Sequence, residues 1–213
     1  MLETSMIPDQ QHLRRVQFVR KAALAAGILI ALIGLSVTDS IWRLKAPFIY
    51  DAIEHIGVLL ILLCICGRTW STLYIGARKK SELVTIGPYS IVRNPLYVFT
   101  LIGAFGIGAQ FASLAVAVAM TLAAAAVFRT VVAREEAFLA AAFPAPWKVY
   151  TARVARFMPR PSLWRDTDAL TIKPSLVVRT FFDACLFAIA IPAAELIETA
   201  QAHGVLPVLA LVP

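Results

Sequence analysis

The stretch Gly87-Pro88-Tyr89-Ser90-Ile91-Val92-Arg93-Asn94-Pro95-Leu96-Tyr97 stands between a basic polar segment and a long apolar region. Proline is tolerated in the first turn of a helix, so Pro95 predicts that a helix begins there. A second charged segment, Arg134-Glu135-Glu136-Ala137-Phe138-Leu139, follows the apolar region. We therefore expect a helical hairpin whose two arms bring these polar segments together at one end.

The composition is that of a membrane protein. Of the 213 residues, 60% are hydrophobic and 15% are charged, and the mean hydropathy is +0.77. A water-soluble domain of this length would need a more polar surface. In a membrane protein, the formal net charge of +7 is expected to set the orientation of the helices and to attract anionic lipid headgroups. Nucleic acid is not an expected partner, because no basic stretch alternates with aromatic residues.

Five apolar segments predict an all-α polytopic bundle of about five transmembrane helices, since about 20 apolar residues cross a bilayer. They cover residues 16–37, 47–66, 96–108, 114–132 and 175–198. The second should continue as a helix towards Tyr74, and Pro192 should interrupt the fifth. The apolar tail, 203–213, is too short to cross and is expected at the outer interface. Residues 1–213 are predicted to form a single integral membrane domain.

Basic residues give this bundle an orientation. Of the 20 lysines and arginines, only Arg43 and Lys45 fall in segments predicted to face outward. Cytoplasmic loops carry the excess of positive charge in membrane proteins. The N-terminus and residues 67–92 and 134–174 are therefore predicted to be cytoplasmic.

The cysteines predict no metal site. Cys64, Cys66 and Cys185 all lie in apolar runs, where cysteine behaves as a small hydrophobic residue. The spacing of Cys64 and Cys66, with no histidine nearby, is not that of a metal-binding motif.

Three groups of residues occur in a fixed order between residues 87 and 159. The first has a Gly-x-Tyr and an Arg-Asn-Pro-x-Tyr pattern, the second Glu-Glu-x-x-Leu, and the third is aromatic and basic and ends in proline. This order and spacing resemble the isoprenylcysteine carboxyl methyltransferase and phospholipid methyltransferase superfamily. Its members are integral membrane enzymes that use S-adenosyl-L-methionine.

The resemblance implies a cytoplasmic S-adenosylmethionine site and a lipophilic methyl acceptor in the membrane. Arg93 and Glu136 are the expected catalytic residues. The expected cofactor-binding residues come from all three groups: Tyr89, Arg93, Asn94, Pro95, Tyr97, Glu135, Glu136, Leu139 and Tyr150.

These residue types suit the cofactor chemically. Carboxylates can bind an ammonium group or ribose hydroxyls, and arginine binds a carboxylate in a bidentate manner. Tyrosine rings can pack against adenine or the sulfonium. Because Glu135 and Glu136 are adjacent on a helix, they point about 100° apart. One can face the cofactor while the other orients Arg93 or Arg134.

Asn94 departs from the superfamily pattern, which has histidine at this position. Asparagine donates and accepts hydrogen bonds but does not titrate near neutral pH. A hydrogen-bonding role is therefore favoured over a general base.

The sequence is compatible with more than one methyl acceptor and more than one activity. The acceptor is expected to be an isoprenylcysteine-type carboxylate or a related lipid. The alternatives are N-methylation of an ethanolamine phospholipid, for which Glu136 would be the base, or reduction by NADPH on the same scaffold. A non-enzymatic membrane partner is the third hypothesis.

The orientation can be tested by thiol labelling above the background of the native cysteines. In intact cells an Arg160→Cys variant should resist a membrane-impermeant reagent and react only after lysis, because the positive charge places residue 160 inside. A Lys45→Cys variant, in the predicted outer loop, should react before lysis. Labelling of Arg160→Cys in intact cells would contradict the orientation.

Overall fold

The computed structural model describes residues 33–76 and 82–213. The chain is mostly helical. The predicted first span, residues 16–37, lies mostly outside the described residues, and residues 33–36 at its end are helical.

Long helices dominate the described chain. The helices are α1 (Ile41–Lys45), α2 (Pro47–Ile75), α3 (Pro88–Ile91), α4 (Pro95–Ala109), α5 (Leu114–Ala142), α6 (Pro144–Arg153), α7 (Pro174–Cys185) and α8 (Ala190–Ala202). Short 3₁₀ turns cover Pro161–Leu163 and Leu186–Ile189, and the strands are β1 (Thr38–Ser40) and β2 (Ala210–Val212). Proline occupies the first turn of α2, α3, α4, α6 and α7, where its missing N–H has no partner to lose.

Three of the predicted spans are long and apolar enough to cross a membrane. They are Pro47–Ile75, Leu114–Ala142 and Pro174–Ala202, each of 29 residues. The first of these continues as a helix past Tyr74, and the second runs through Glu135 and Glu136, as predicted. Helix α4 has only 15 residues. Within the described residues three of the five predicted spans are therefore confirmed as membrane-capable, and the count of five stays a prediction.

Glycines let the central helices approach closely. A Cβ on Gly106 of α4 would lie 2.9 Å from the Gly57 carbonyl oxygen of α2. A Cβ on Gly108 would lie 2.3 Å from the Cα of Ala117 on α5. Helix α4 is therefore held between α2 and α5 by backbone contact, which is a common way for membrane helices to associate.

The last span is interrupted near Pro192, as predicted, but the tail differs from the sequence prediction. The helix becomes 3₁₀ at Leu186–Ile189, a turn before Pro192, because proline cannot donate to the carbonyl four residues earlier. The tail forms a parallel pair with β1, Thr38 opposite Ala210, so the chain is not wholly α. Ser113 Oγ also donates to the Pro213 carbonyl oxygen at 2.6 Å, placing the tail beside the α4–α5 turn.

The opposite end of the bundle is tied together around α3. Gly87 has φ +57° and packs against the Tyr74 ring, which a Cβ would approach to 2.2 Å. Its N–H donates to the Arg165 carbonyl at 2.7 Å, and the Arg93 N–H donates to the Ala155 carbonyl at 2.9 Å. The residues after α6 therefore run beside the stretch that leads into α4.

Close packing of the hairpin gives a stability prediction. Gly108→Ala should lower the unfolding temperature in detergent, because overpacking typically costs about 1–3 kcal/mol. Gly34→Ala is the control, since a Cβ added at Gly34 would have no atom of the described residues within 4 Å. Equal melting temperatures for the two variants would contradict close α4–α5 packing.

Candidate functional site

A cavity of about 390 Å³ lies at the end of the bundle where α2 ends and α4 begins. This size is within the range of small-molecule sites, about 300–1,000 Å³. All nine residues that the sequence nominates line it: Tyr89, Arg93, Asn94, Pro95, Tyr97, Glu135, Glu136, Leu139 and Tyr150. The hairpin and the segment around α6 have thus brought the three groups to one place.

Glu136 is the buried centre of the cavity wall, with 7% of its surface exposed. Arg156 donates to Oε2 from Nε at 2.9 Å and also from Nη2. Arg93 Nε lies 3.6 Å from Oε1, and Asn94 Nδ2 donates to the same oxygen at 3.0 Å. Two guanidinium groups and an amide therefore compensate a charge that would be costly to bury alone.

The side-chain amide of Asn94 donates two hydrogen bonds to described residues. Besides Glu136, its amide reaches the Arg156 carbonyl oxygen at 3.3 Å. Both partners are acceptors, so the side chain links the start of α4 to α5 and to the segment after α6. This contact needs hydrogen-bonding capacity and no titration, as expected for asparagine.

Glu135 points to a different part of the cavity. It accepts a hydrogen bond from the Tyr97 hydroxyl at 3.1 Å, and the Tyr97 ring packs against Phe128 with centroids 5.0 Å apart. The adjacent carboxylates thus diverge, as their helical spacing requires. Glu136 holds arginines, whereas Glu135 lies beside a tyrosine.

Tyr89 lines the cavity and has a buried, unsatisfied hydroxyl. The residue is 5% exposed, and its hydroxyl has no hydrogen-bond partner among the described residues. Burial, and then the neighbouring Tyr150 and Glu135, raise the pKa of Tyr89 well above its ordinary value. Its hydroxyl therefore stays protonated as a donor, and an unsatisfied buried donor of this kind indicates a ligand or water.

Tyr150 has a structural contact instead. Its hydroxyl donates to the Tyr89 carbonyl oxygen at 2.7 Å. Burial raises the pKa of Tyr150, more than the opposing effect of Arg93, so this donor also remains protonated. The Tyr150 hydroxyl therefore fixes the backbone of Tyr89, which also lines the cavity.

Two contributors were not nominated as site residues. Trp147 lines the cavity, and the Arg93 guanidinium lies 5.8 Å from its ring centroid, within cation–π range. Arg156 belongs to the third sequence group, but its spacing gave no sign that it pairs with Glu136. In the sequence, only the position of Trp147 between the prolines of α6 and Tyr150 indicated that it could line the cavity.

Within residues 33–76 and 82–213, no group of three or more His, Cys, Asp or Glu side chains is arranged to hold a metal ion.

Comparison with known proteins gives two kinds of match. The family model described as phospholipid methyltransferase matches residues 53–145. The chain is 39% identical to the cobalt-zinc-cadmium resistance protein CzcN of Cupriavidus metallidurans over 68% of this chain and 67% of that protein. It is 35% identical to the nickel-cobalt-cadmium resistance protein NccN of Alcaligenes xylosoxydans xylosoxydans over 87% and 84% of the two chains. No solved structure matches significantly.

The Glu136 network predicts a large effect on stability. Glu136→Gln should lower the free energy of unfolding by about 3 kcal/mol, because Arg93 and Arg156 lose their buried counter-charge. Asp183→Asn is the matched control, since it neutralises a carboxylate paired with Arg179 at 3.8 Å, with both side chains exposed. Unfolding in detergent measures both. Equal losses would show that Glu136 is not the centre of the network.

Proposed function

The chain belongs to the phospholipid methyltransferase family, in the isoprenylcysteine and phospholipid methyltransferase superfamily, and from this premise we propose that it methylates a lipophilic acceptor with S-adenosylmethionine. The observation that carries the proposal is the cavity at the end of an apolar bundle. Its walls combine arginine, carboxylate and tyrosine groups with an apolar side formed by residues such as Leu96, Phe138 and Leu139.

The residues present fit S-adenosylmethionine. The buried Tyr89 hydroxyl can donate to the cofactor, and Arg93 and Arg134 can bind its carboxylate. Glu135 can accept from its ammonium group or ribose hydroxyls, and Trp147 offers a flat ring for the adenine. When bound, the cofactor supplies an electrophilic methyl group on a sulfonium.

The protein's own residues would contribute by aligning the acceptor with the methyl group. Methyl transfer is an in-line displacement, and holding the reactants in line accounts for much of the rate. Glu136 and Trp147 fix the Arg93 guanidinium from two sides. Asn94 fixes Glu136, so Arg93 can bind an anionic group without changing its own position.

The same contacts favour a carboxylate acceptor over an amine. Methylating an amine requires a base to remove a proton. Glu136 already accepts bonds from Arg156 and Asn94 and lies beside Arg93, and becoming protonated would break these interactions. A carboxylate is nucleophilic at neutral pH and needs no base, so an isoprenylcysteine-type or related lipid carboxylate is the preferred acceptor.

The membrane position follows from the bundle. Three membrane-capable helices among the described residues support a membrane protein. We place the cavity on the cytoplasmic side, where S-adenosylmethionine is found. The acceptor would reach the apolar wall from the lipid, while the cofactor enters from water.

Two relatives are named for resistance to metals, cobalt and cadmium among them. We propose that this chain contributes to such resistance by methylating a membrane component. Direct metal binding in the cavity is less favoured, because Glu136 is occupied by Arg93 and Arg156 and Glu135 accepts from Tyr97.

Tyr89→Phe tests cofactor binding without disturbing the fold. The variant should bind S-adenosylmethionine roughly two- to tenfold more weakly, because one hydrogen bond to the ligand is lost. Its unfolding temperature without ligand should be unchanged or higher, since an unsatisfied buried hydroxyl has been removed. Calorimetry and thermal unfolding of the solubilised protein provide the two readings. No detectable binding to the wild type would contradict the proposed function.

A further inference from the structure

Arg68 lies on α2 just past its apolar segment, residues 47–66, and closer to the membrane interior than the cavity. It lies two helical turns before Ile75, about 10 Å along the axis of α2 and on nearly the same face. Ile75 lines the cavity. The side chain reaches α4, where Nη1 donates to Thr100 Oγ1. Thr100 follows Leu96 and Tyr97, both cavity residues, by about one turn, so the pair lies at the membrane side of the cavity.

Arg68 has no carboxylate partner among the described residues, unlike four of the other arginines. Arg43, Arg93, Arg156 and Arg179 each lie within 4.0 Å of a carboxylate. No carboxylate of the described residues lies within that distance of Arg68, and its buried Nε has no hydrogen-bond partner among them. A partly buried charge without a counter-charge is costly, and an anionic ligand would offset that cost.

The Thr100 contact supports orientation more than neutralisation. Thr100 Oγ1 itself donates to the Leu96 carbonyl oxygen at 2.7 Å, so its lone pairs are directed towards Arg68. A neutral hydroxyl fixes the guanidinium and leaves its charge uncompensated. The remaining donors are those of a planar fork that suits a carboxylate or phosphate.

We propose that Arg68, fixed by Thr100, binds the anionic group of the lipid acceptor from the membrane side of the cavity. This inference rests on the proposed function and narrows its substrate class to lipids with a carboxylate or phosphate group. The lipid tail would remain among the apolar helices while the charged group is held between Arg68 and the polar wall above it.

For a carboxylate acceptor, the site formed by Arg68 and Thr100 would also bind the substrate more tightly than the product. A carboxylate oxygen forms the new O–C bond as the methyl C–S bond breaks, and the bonding pair stays on sulfur. No proton is released, and the product is a neutral ester. The ester loses the attraction of Arg68, which favours its return to the bilayer.

Binding of matched lipids to the full-length protein in nanodiscs tests this subsite. The probes are N-acetyl-S-farnesylcysteine and its methyl ester, which differ by one charge, and phosphatidic acid with diacylglycerol as the phosphate pair. The wild type should bind the charged member of at least one pair about ten- to a hundredfold more tightly, as expected for charge-assisted hydrogen bonds. Which pair shows the preference distinguishes carboxylate from phosphate.

Arg68→Gln should reduce that preference to about twofold or less, because the charge-assisted bonds are lost. Arg179→Gln, an exposed arginine on α7, should keep the wild-type preference. S-adenosylmethionine affinity should be unchanged in both. If Arg68→Gln does not fold, Thr100→Val replaces it, and its preference should fall severalfold because Arg68 is no longer held.

Two results would overturn the proposal. One is an unchanged charge preference in Arg68→Gln, or in Thr100→Val where that variant is used, which would make Arg68 a helix anchor. The other is a wild type without charge preference in either pair. The lipid preference is measured without the cofactor. A wild type that does not bind S-adenosylmethionine would therefore refute the proposed function without deciding the lipid subsite.

Discussion

The buried carboxylate of Glu136 connects segments that are distant in the sequence. Asn94 at the start of α4 and Arg156 after α6 both bond to it, and Arg93 lies beside it. A carboxylate at this depth is stable only with such partners. Removing Glu136 would leave Arg93 and Arg156 without this counter-charge, so the cavity wall depends on that carboxylate. Arg93 is thereby held in one orientation at the cavity wall.

The apolar part of the chain serves to bring these groups together. Helices α4 and α5 are antiparallel, so Asn94 at the start of the first arm lies beside Glu136 near the end of the second arm. Their close backbone approach at Gly108 and Ala117 fixes the distance between the arms. The hairpin therefore sets the position of the polar network, and the network in turn ties the segment after α6 to the membrane helices.

The long helices and the cavity residues were predictable from the sequence. The contacts between distant segments were not, for physical reasons. Apolar length identified α2 and α5, Pro95 marked the start of α4, and the ordered motifs selected residues that do line one cavity. The pairing of Arg156 with Glu136 depends on how a loop folds back, which spacing does not encode. The β1–β2 pair and the Arg68–Thr100 contact join residues far apart in the chain, so no local pattern reveals them.

Methyl transfer itself is the most direct test of this account. Membranes containing the protein should be incubated with S-adenosylmethionine carrying a radiolabelled methyl group and then extracted with organic solvent. We expect label in the lipid fraction that mild base releases as methanol, the behaviour of a carboxyl methyl ester, and none above background with Arg93→Ala. Base-stable label would indicate an amine acceptor. Absence of label above membranes that lack the protein would contradict the assignment as a methyltransferase of lipophilic acceptors.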